Sequence, residues 1–416
     1  MPKPRTALLA SALLLTLVAL PGDAEARGRG HGQGHSFCRT AAFVQSVFEA
    51  RLERGHAPRF FGFVLGFVNH LIAERCVHLN EIQAIGSHNS YHIEPIQALI
   101  DVFVNFDPRA IEWQYTHPPL ADQFGRQGIR QIELDVFADP LGGLYSTRIA
   151  LGLIGQPIES GEPELDLPGF KVLHVQHADF DSTCLTFVSC LLDIRDWSDA
   201  HPYHSPIAIL IEAKDENFLV PILPTVAPID AVRFRELDAE IRSVFSDDRI
   251  LLPDDVRGSH ATLEEAVLSR GWPTLGQLRG KVLFLLDNAG AKRDAYRDGA
   301  ESLEGRILFT NSTPGQPDAA FVKLNDPETD PTLIPEIVQA GYLVRTRADA
   351  DTLQSRNDDP TRRDAALASG AQWVSTDYAE PDPRFSPYQV TLPGGDVLRC
   401  NPVNAPSSCR DGFLAP

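Results

Sequence analysis

From residue 82 onward, short apolar runs alternate with longer stretches in which apolar residues recur at three- and four-residue steps. The runs lie at residues 82–85, 129–137, 171–175, 207–211, 281–286, 321–324, 343–345 and 373–375. Short β-rich runs of this kind read as strands, and the periodic stretches between them, notably 184–200 and 230–245, read as helices. Residues 207–211 contain no polar side chain, as expected of a strand buried on both faces. Strands alternating with helices predict an α/β fold, a (β/α)₈ TIM barrel or a close variant. Two further amphipathic stretches, near 41–54 and 63–75, predict an N-terminal helical extension ahead of the first strand.

The polar residues that stand out fall where those strands end. His88 and Asn89 follow the first run, and Glu133 and Asp135 end the second. His174 and His177 end or follow the third, Glu212 and Lys214 the fourth, and Asp287 the fifth. Lys323 closes the sixth, Arg345 and Arg347 the seventh, and Thr376-Asp377-Tyr378 the eighth. In barrels of this class the reacting groups sit at the C-terminal ends of the strands.

The chain ends shape the domain picture. Lys3 and Arg5, the apolar run 8–20 and Ala24-Glu25-Ala26 have the order of an export signal, placed at 1–26. The run is shorter than the roughly 20 residues a membrane span needs. Residues 27–78 then read as a flexible start, through residue 36, followed by the helical extension. The barrel is placed at 79–390, with a C-terminal tail at 391–416. Six cysteines, none in a CxxC pair, suit an oxidising compartment outside the cytoplasm. Close spacing favours Cys184–Cys190 and Cys400–Cys409, which leaves Cys38–Cys76 to tie down the N-terminal arm. A secreted protein, monomeric, is the expectation.

A net charge of −19 argues against nucleic acid as a partner and against strong docking to anionic membranes. An anionic substrate would have to meet a local positive feature, and a bound divalent cation would serve. Glu133 and Asp135 are two apart on a strand, so both carboxylates point to one side. Asn89 and Glu212 can complete an oxygen-only set suited to Ca²⁺ or Mg²⁺; zinc would call for nitrogen or sulfur. His88 with His174, or alternatively His177, would be a general acid–base pair beside that cation. His174 is preferred because it ends the apolar run 171–173. His56, His70, His78, His201, His204 and His260 read as structural, and His92 and His117 receive no role.

His88-Asn89-Ser90-Tyr91, Glu133-Leu134-Asp135, Val172-Leu173-His174 and Ile211-Glu212-Ala213-Lys214 appear in that order. With the Cys184–Cys190 segment, Ile194-Arg195-Asp196-Trp197 and Trp373-Val374-Ser375-Thr376-Asp377-Tyr378, the chain resembles the calcium-dependent phosphoinositide-specific phospholipases C, in their secreted bacterial and fungal branch. The likeness runs from about residue 80 to 380. It implies His88 and a second histidine as acid and base, and Asn89, Glu133, Asp135 and Glu212 as Ca²⁺ ligands. It implies Lys214, Arg347 and Tyr378 as substrate contacts. The implied substrate is a phospholipid or other phosphodiester, met in transient contact with a membrane surface. The implied products are diacylglycerol and a cyclic inositol phosphate. A glycerophosphodiester phosphodiesterase or phospholipase D-type lyase would share the barrel and the ExD pair, but would carry its second histidine closer to Asp135. A calcium-binding domain without turnover would leave His88, the second histidine and Lys214 unexplained.

Overall fold

The computed structural model describes residues 31–54, 59–217 and 226–415; the segment 1–26 read as an export signal lies outside them, as does His56. Among the described residues the strands are β1 (Ile82–Ser87), β2 (Gln131–Phe137), β3 (Lys171–Val172), β4 (Ile207–Lys214) and β5 (Val282–Leu286). They continue with β6 (Leu308–Thr310), β7 (Phe321–Lys323), β8 (Leu343–Arg347), β9 (Trp373–Thr376) and β10 (Arg399–Cys400). Eight are parallel neighbours in the order β6-β5-β4-β2-β1-β9-β8-β7. The end strands β6 and β7 meet at a parallel bridge between Asn311 and Phe321. The Lys323 amide also donates to the Asn311 side chain at 3.0 Å. The result is a nearly closed eight-stranded TIM-type barrel with flanking helices, as the alternation of runs predicts.

Two of the eight staves differ from the sequence expectation. The run at 171–175 is not a barrel strand: β3 pairs antiparallel with the end of β2, Val136 with Val172 and Phe137 with Lys171. β2 pairs directly with β4, so everything between them is an insert on the barrel rim. The missing stave is β6, whose three residues are fully buried. It is too short to show a period, and the barrel wall, more than local propensity, makes it a strand.

The first described helix begins at His31 and runs to Glu53, so residues 31–36 are helical where an irregular start was expected. It packs on the helix Arg59–Cys76, and Cys38–Cys76 joins the two. Arg279 donates to Glu74 from the segment leading into β5, which places this extension at the N-terminal ends of the strands. Cys184–Cys190 and Cys400–Cys409 also form. The C-terminal tail adds β10 antiparallel to the start of β1. None of the helices among the described residues is long and apolar enough to cross a membrane.

Candidate active site

The turn after β1 is built by close approach. A Cβ on Gly86 would lie 2.0 Å from the Gln131 side-chain oxygen and 3.1 Å from its Cβ, so only glycine admits Gln131 there. Ser87 Oγ donates to Gln123 Oε1 (2.7 Å), Gln123 donates to the Ser90 carbonyl (2.6 Å), and Ser90 Oγ accepts from the Glu133 amide (2.8 Å). Locked between these bonds, Asn89 takes a left-handed φ of +43°, a conformation asparagine tolerates better than most residues. Its Nδ2 donates to the Tyr115 hydroxyl at 2.9 Å, while its Oδ1 is buried with no hydrogen-bond donor.

Around the barrel mouth the acids outnumber the bases. Oxygens of Glu133, Glu212 and Asp287 lie within 4.8 Å of one another. Arg345 pairs with Glu133, Lys323 with Asp287, and Lys214 Nζ lies 2.5 Å from Asp135 but 4.0 Å from Glu212. Four carboxylates thus share three cations. Burial pushes the Glu133 carboxyl up to about 7 against the pull of Arg345. Burial likewise raises Asp135 and Asp287. These are the conditions under which a bound cation relieves crowded, desolvated charge. Carboxylate oxygens and the orphaned Asn89 Oδ1 form a hard donor set that fits Ca²⁺.

Two histidines border this group, each on a buried carboxylate. His88 Nδ1 lies 2.7 Å from Asp377 Oδ1, and Arg347 spans both, donating to Asp377 Oδ2 (2.8 Å) and approaching His88 Nε2 (3.3 Å). Arginine can only donate, so Nε2 is the acceptor and Nδ1 carries the ring proton. Burial first, then Arg347, hold His88 well below its ordinary pKa, while Asp377 opposes them. Burial opposes ionisation of Asp377, yet His88 and Arg347 keep it far below the usual carboxylate range. His174 Nδ1 lies 2.6 Å from Asp179 Oδ2, and His92 Nε2 lies 2.9 Å from both oxygens of Asp179. The His88 and His174 side chains keep 19% and 20% of their surface exposed, against at most 2% for their carboxylate partners. Lys214 links the second histidine to the acids, because its Nζ also donates to the His174 carbonyl (3.2 Å). Tyr115 stacks on His92 with centroids 4.2 Å apart, and its hydroxyl holds Asn89.

The structure therefore gathers His88, Asn89, Glu133, Asp135, His174, Glu212, Lys214 and Arg347. His174 does not end a barrel strand; it follows β3 on the rim insert, hydrogen-bonded to Asp179. His177 stands apart from these partners: its φ is +63° and its Nδ1 lies 3.0 Å from the Thr147 carbonyl. Tyr378 is buried, its hydroxyl 3.5 Å from the Gln114 carbonyl and its ring against Phe385 and Tyr388.

Sequence reasoning left His92, Tyr115 and Asp179 without roles and did not count Asp287 among the acids that could hold a cation. Asp287 carried a signal, since it ends a strand like the others. His92 is four residues beyond His88, but its partner Asp179 is on a separate insert that no spacing rule connects to it.

The family model described as "Phosphoinositide phospholipase C, Ca2+-dependent" matches residues 77–402. No curated protein matches the chain. Among solved structures, the Ca²⁺-dependent phosphatidylinositol-specific phospholipase C of Streptomyces antibioticus is 20% identical, with 73% of this chain and 96% of that one covered and a TM-score of 0.48. A calcium-dependent phosphoinositol-specific phospholipase C from a Pseudomonas species is 17% identical, covering 79% and 96%, with a TM-score of 0.48. The phosphatidylinositol-specific phospholipase C of Listeria monocytogenes is 12% identical, covering 72% and 89%, with a TM-score of 0.39.

Proposed function

Given that the chain belongs to the Ca²⁺-dependent phosphoinositide phospholipase C family, we propose that it acts outside the cytoplasm, as a monomer in transient contact with a lipid surface. We propose that it cleaves phosphatidylinositol to diacylglycerol and a cyclic inositol phosphate. The observation that carries this reading is the pair of carboxylate-oriented histidines flanking an all-oxygen acid cluster.

Ca²⁺ would be held by Asn89, Glu133, Asp135 and Glu212, and we propose Asp287 as a further ligand because its carboxylate lies within 4.8 Å of those of Glu133 and Glu212. When bound, it lowers the pKa of the attacking hydroxyl and offsets charge on the phosphoryl oxygens. The remaining steps belong to the chain's own residues. The lone pair on His88 Nε2 accepts the proton of the inositol 2-hydroxyl as its oxygen bonds to phosphorus. The bond from phosphorus to the glycerol oxygen breaks, and His174, which enters the step protonated on both nitrogens, delivers its Nε2 proton to that oxygen. Exchange with solvent then returns both rings to their starting states. Arg347 and Lys214 lie beside the two histidines, where they can hold the phosphate. Tyr378 supports the wall behind Asp377 in this reading, since its hydroxyl is turned to Gln114.

The test is incubation of the protein with phosphatidylinositol vesicles, with Ca²⁺ or with EGTA, followed by phosphorus NMR. A cyclic phosphate that appears with Ca²⁺ and vanishes with EGTA is expected. Folded, Ca²⁺-supplied protein that yields no cyclic product would overturn the reading.

A further inference from the structure

His92 is fully buried. Its Nδ1 lies 2.9 Å from the Tyr115 carbonyl, and its Nε2 lies 2.9 Å from each Asp179 oxygen. A carbonyl and a carboxylate can only accept, so both ring nitrogens must donate. That makes His92 a doubly protonated ring seated against an ionised Asp179. The remaining face of Asp179 accepts from His174 Nδ1 at 2.6 Å. This bond fixes the His174 tautomer and leaves its Nε2 turned away from the carboxylate.

We infer that Asp179 and His92 form a buried positioning pair that orients His174 for proton delivery. The inference rests on the role given to His174 above. The pair does two things at once. Asp179 sets ring orientation and tautomer, as carboxylates do for histidines in other acid–base sites. His92 neutralises Asp179, so His174 leans on a pair of zero net charge instead of on a bare anion. Burial and then Lys214 lower the His174 pKa while Asp179 opposes them, so the doubly protonated ring that the step requires gives up its Nε2 proton readily. Burial would also raise the Asp179 carboxyl, yet His92 and His174 beside it bring it down to about 2. Tyr115 completes the arrangement, since one residue accepts from His92 through its carbonyl, stacks on it, and holds Asn89 through its hydroxyl.

The test exploits leaving-group chemistry. A nitrophenolate departs without a proton, whereas a glycerol alkoxide needs one. Asp179→Asn should lower kcat on phosphatidylinositol by about 10- to 100-fold, the scale of one mis-set general acid, with KM little changed. The same variant should cleave inositol 1-(4-nitrophenyl phosphate) within about 3-fold of wild type. His92→Gln, which keeps one donor toward Asp179 and loses the charge, should show the same split with a smaller loss. Spectra of wild-type protein labelled with ¹⁵N-histidine, recorded at pH 7, should show both His92 ring nitrogens protonated. Equal losses on the two substrates would make the pair merely structural and overturn the inference, and so would a His92 ring with one bare nitrogen. Wild-type protein that cleaves neither substrate would sink the proposed function instead, and the spectra would still decide the proton count.

Discussion

His88 and His174 are held by the same device built on two different kinds of scaffold. In each, a buried carboxylate accepts a hydrogen bond from Nδ1 and a cation balances the carboxylate: Asp377 with Arg347 for His88, Asp179 with His92 for His174. The first set stands on the barrel itself, since β1, β9 and β8 are hydrogen-bonded neighbours and deliver His88, Asp377 and Arg347 from adjacent strand ends. The second set belongs to long connections: His92 to the segment after β1, and His174 and Asp179 to the insert between β2 and β4. The counter-cations differ too. Arginine stays charged at any working pH, whereas a histidine depends on its surroundings to keep its proton. Burial would favour the neutral His92 ring, but Asp179 outweighs it and raises its pKa. The barrel half is therefore constitutively charged, and the insert half owes its charge state to the Asp179 carboxylate packed against His92.

The comparison can be broken most directly at the rings themselves. His88→Ala and His174→Ala should each lower kcat by about 10²–10⁴-fold, the range for loss of one proton-transfer group, read as cyclic phosphate by phosphorus NMR. If one variant retains wild-type turnover, the two halves are not functionally equivalent. Next in size is a stability effect on the barrel side. Asp377→Ala leaves the largely buried Arg347 without its carboxylate and should cost up to about 3 kcal/mol in urea unfolding.

Acid titration separates the halves less drastically. Asp179 has a folded-state pKa of about 2, below the ordinary carboxylate value. A carboxyl depressed on folding stabilises the protein above its unfolded pKa and loses that contribution as pH falls through the folded one. The difference in unfolding free energy between wild type and Asp179→Asn should therefore shrink as pH drops from about 4 to about 2. The raised His92 has the opposite sign: its contribution is present at low pH and fades as pH rises through its folded value. The insert half should erode at both ends of the pH scale, and the Arg347-backed half only at the acid end. Urea midpoints across that range would show whether it does. The smallest effect is expected at His177. Its ring meets the Thr147 carbonyl and none of the acids, so His177→Ala should leave kcat within about 3-fold of wild type.

Legibility in the sequence followed the same division. β1, β2, β4, β5, β7, β8 and β9 all correspond to apolar runs, because a strand buried on both faces must be apolar along its length. Their polar ends were readable as a rim, and that groups His88, Asn89, Glu133, Asp135, Glu212, Lys214 and Arg347 from the sequence alone. β6 was not readable, since three residues carry no period. β3 misled for the complementary reason: its short apolar run looks like a stave but pairs antiparallel on the rim.

By itself, the sequence determined the barrel, its three cysteine pairings and the chemistry available at the strand ends, all of which depend on local pattern and spacing. Tertiary structure alone decided which histidine faces the acids and what holds it there. His174 and His177 are three residues apart and chemically identical. Only the path of the β2–β4 insert sets Asp179 against one and the Thr147 carbonyl against the other. The proton count on His92 was decided in the same way, because it depends on two acceptors, Tyr115 and Asp179, that meet only in the folded chain. Contacts between segments far apart in sequence leave no periodic trace, so they become visible only once the chain has closed on itself.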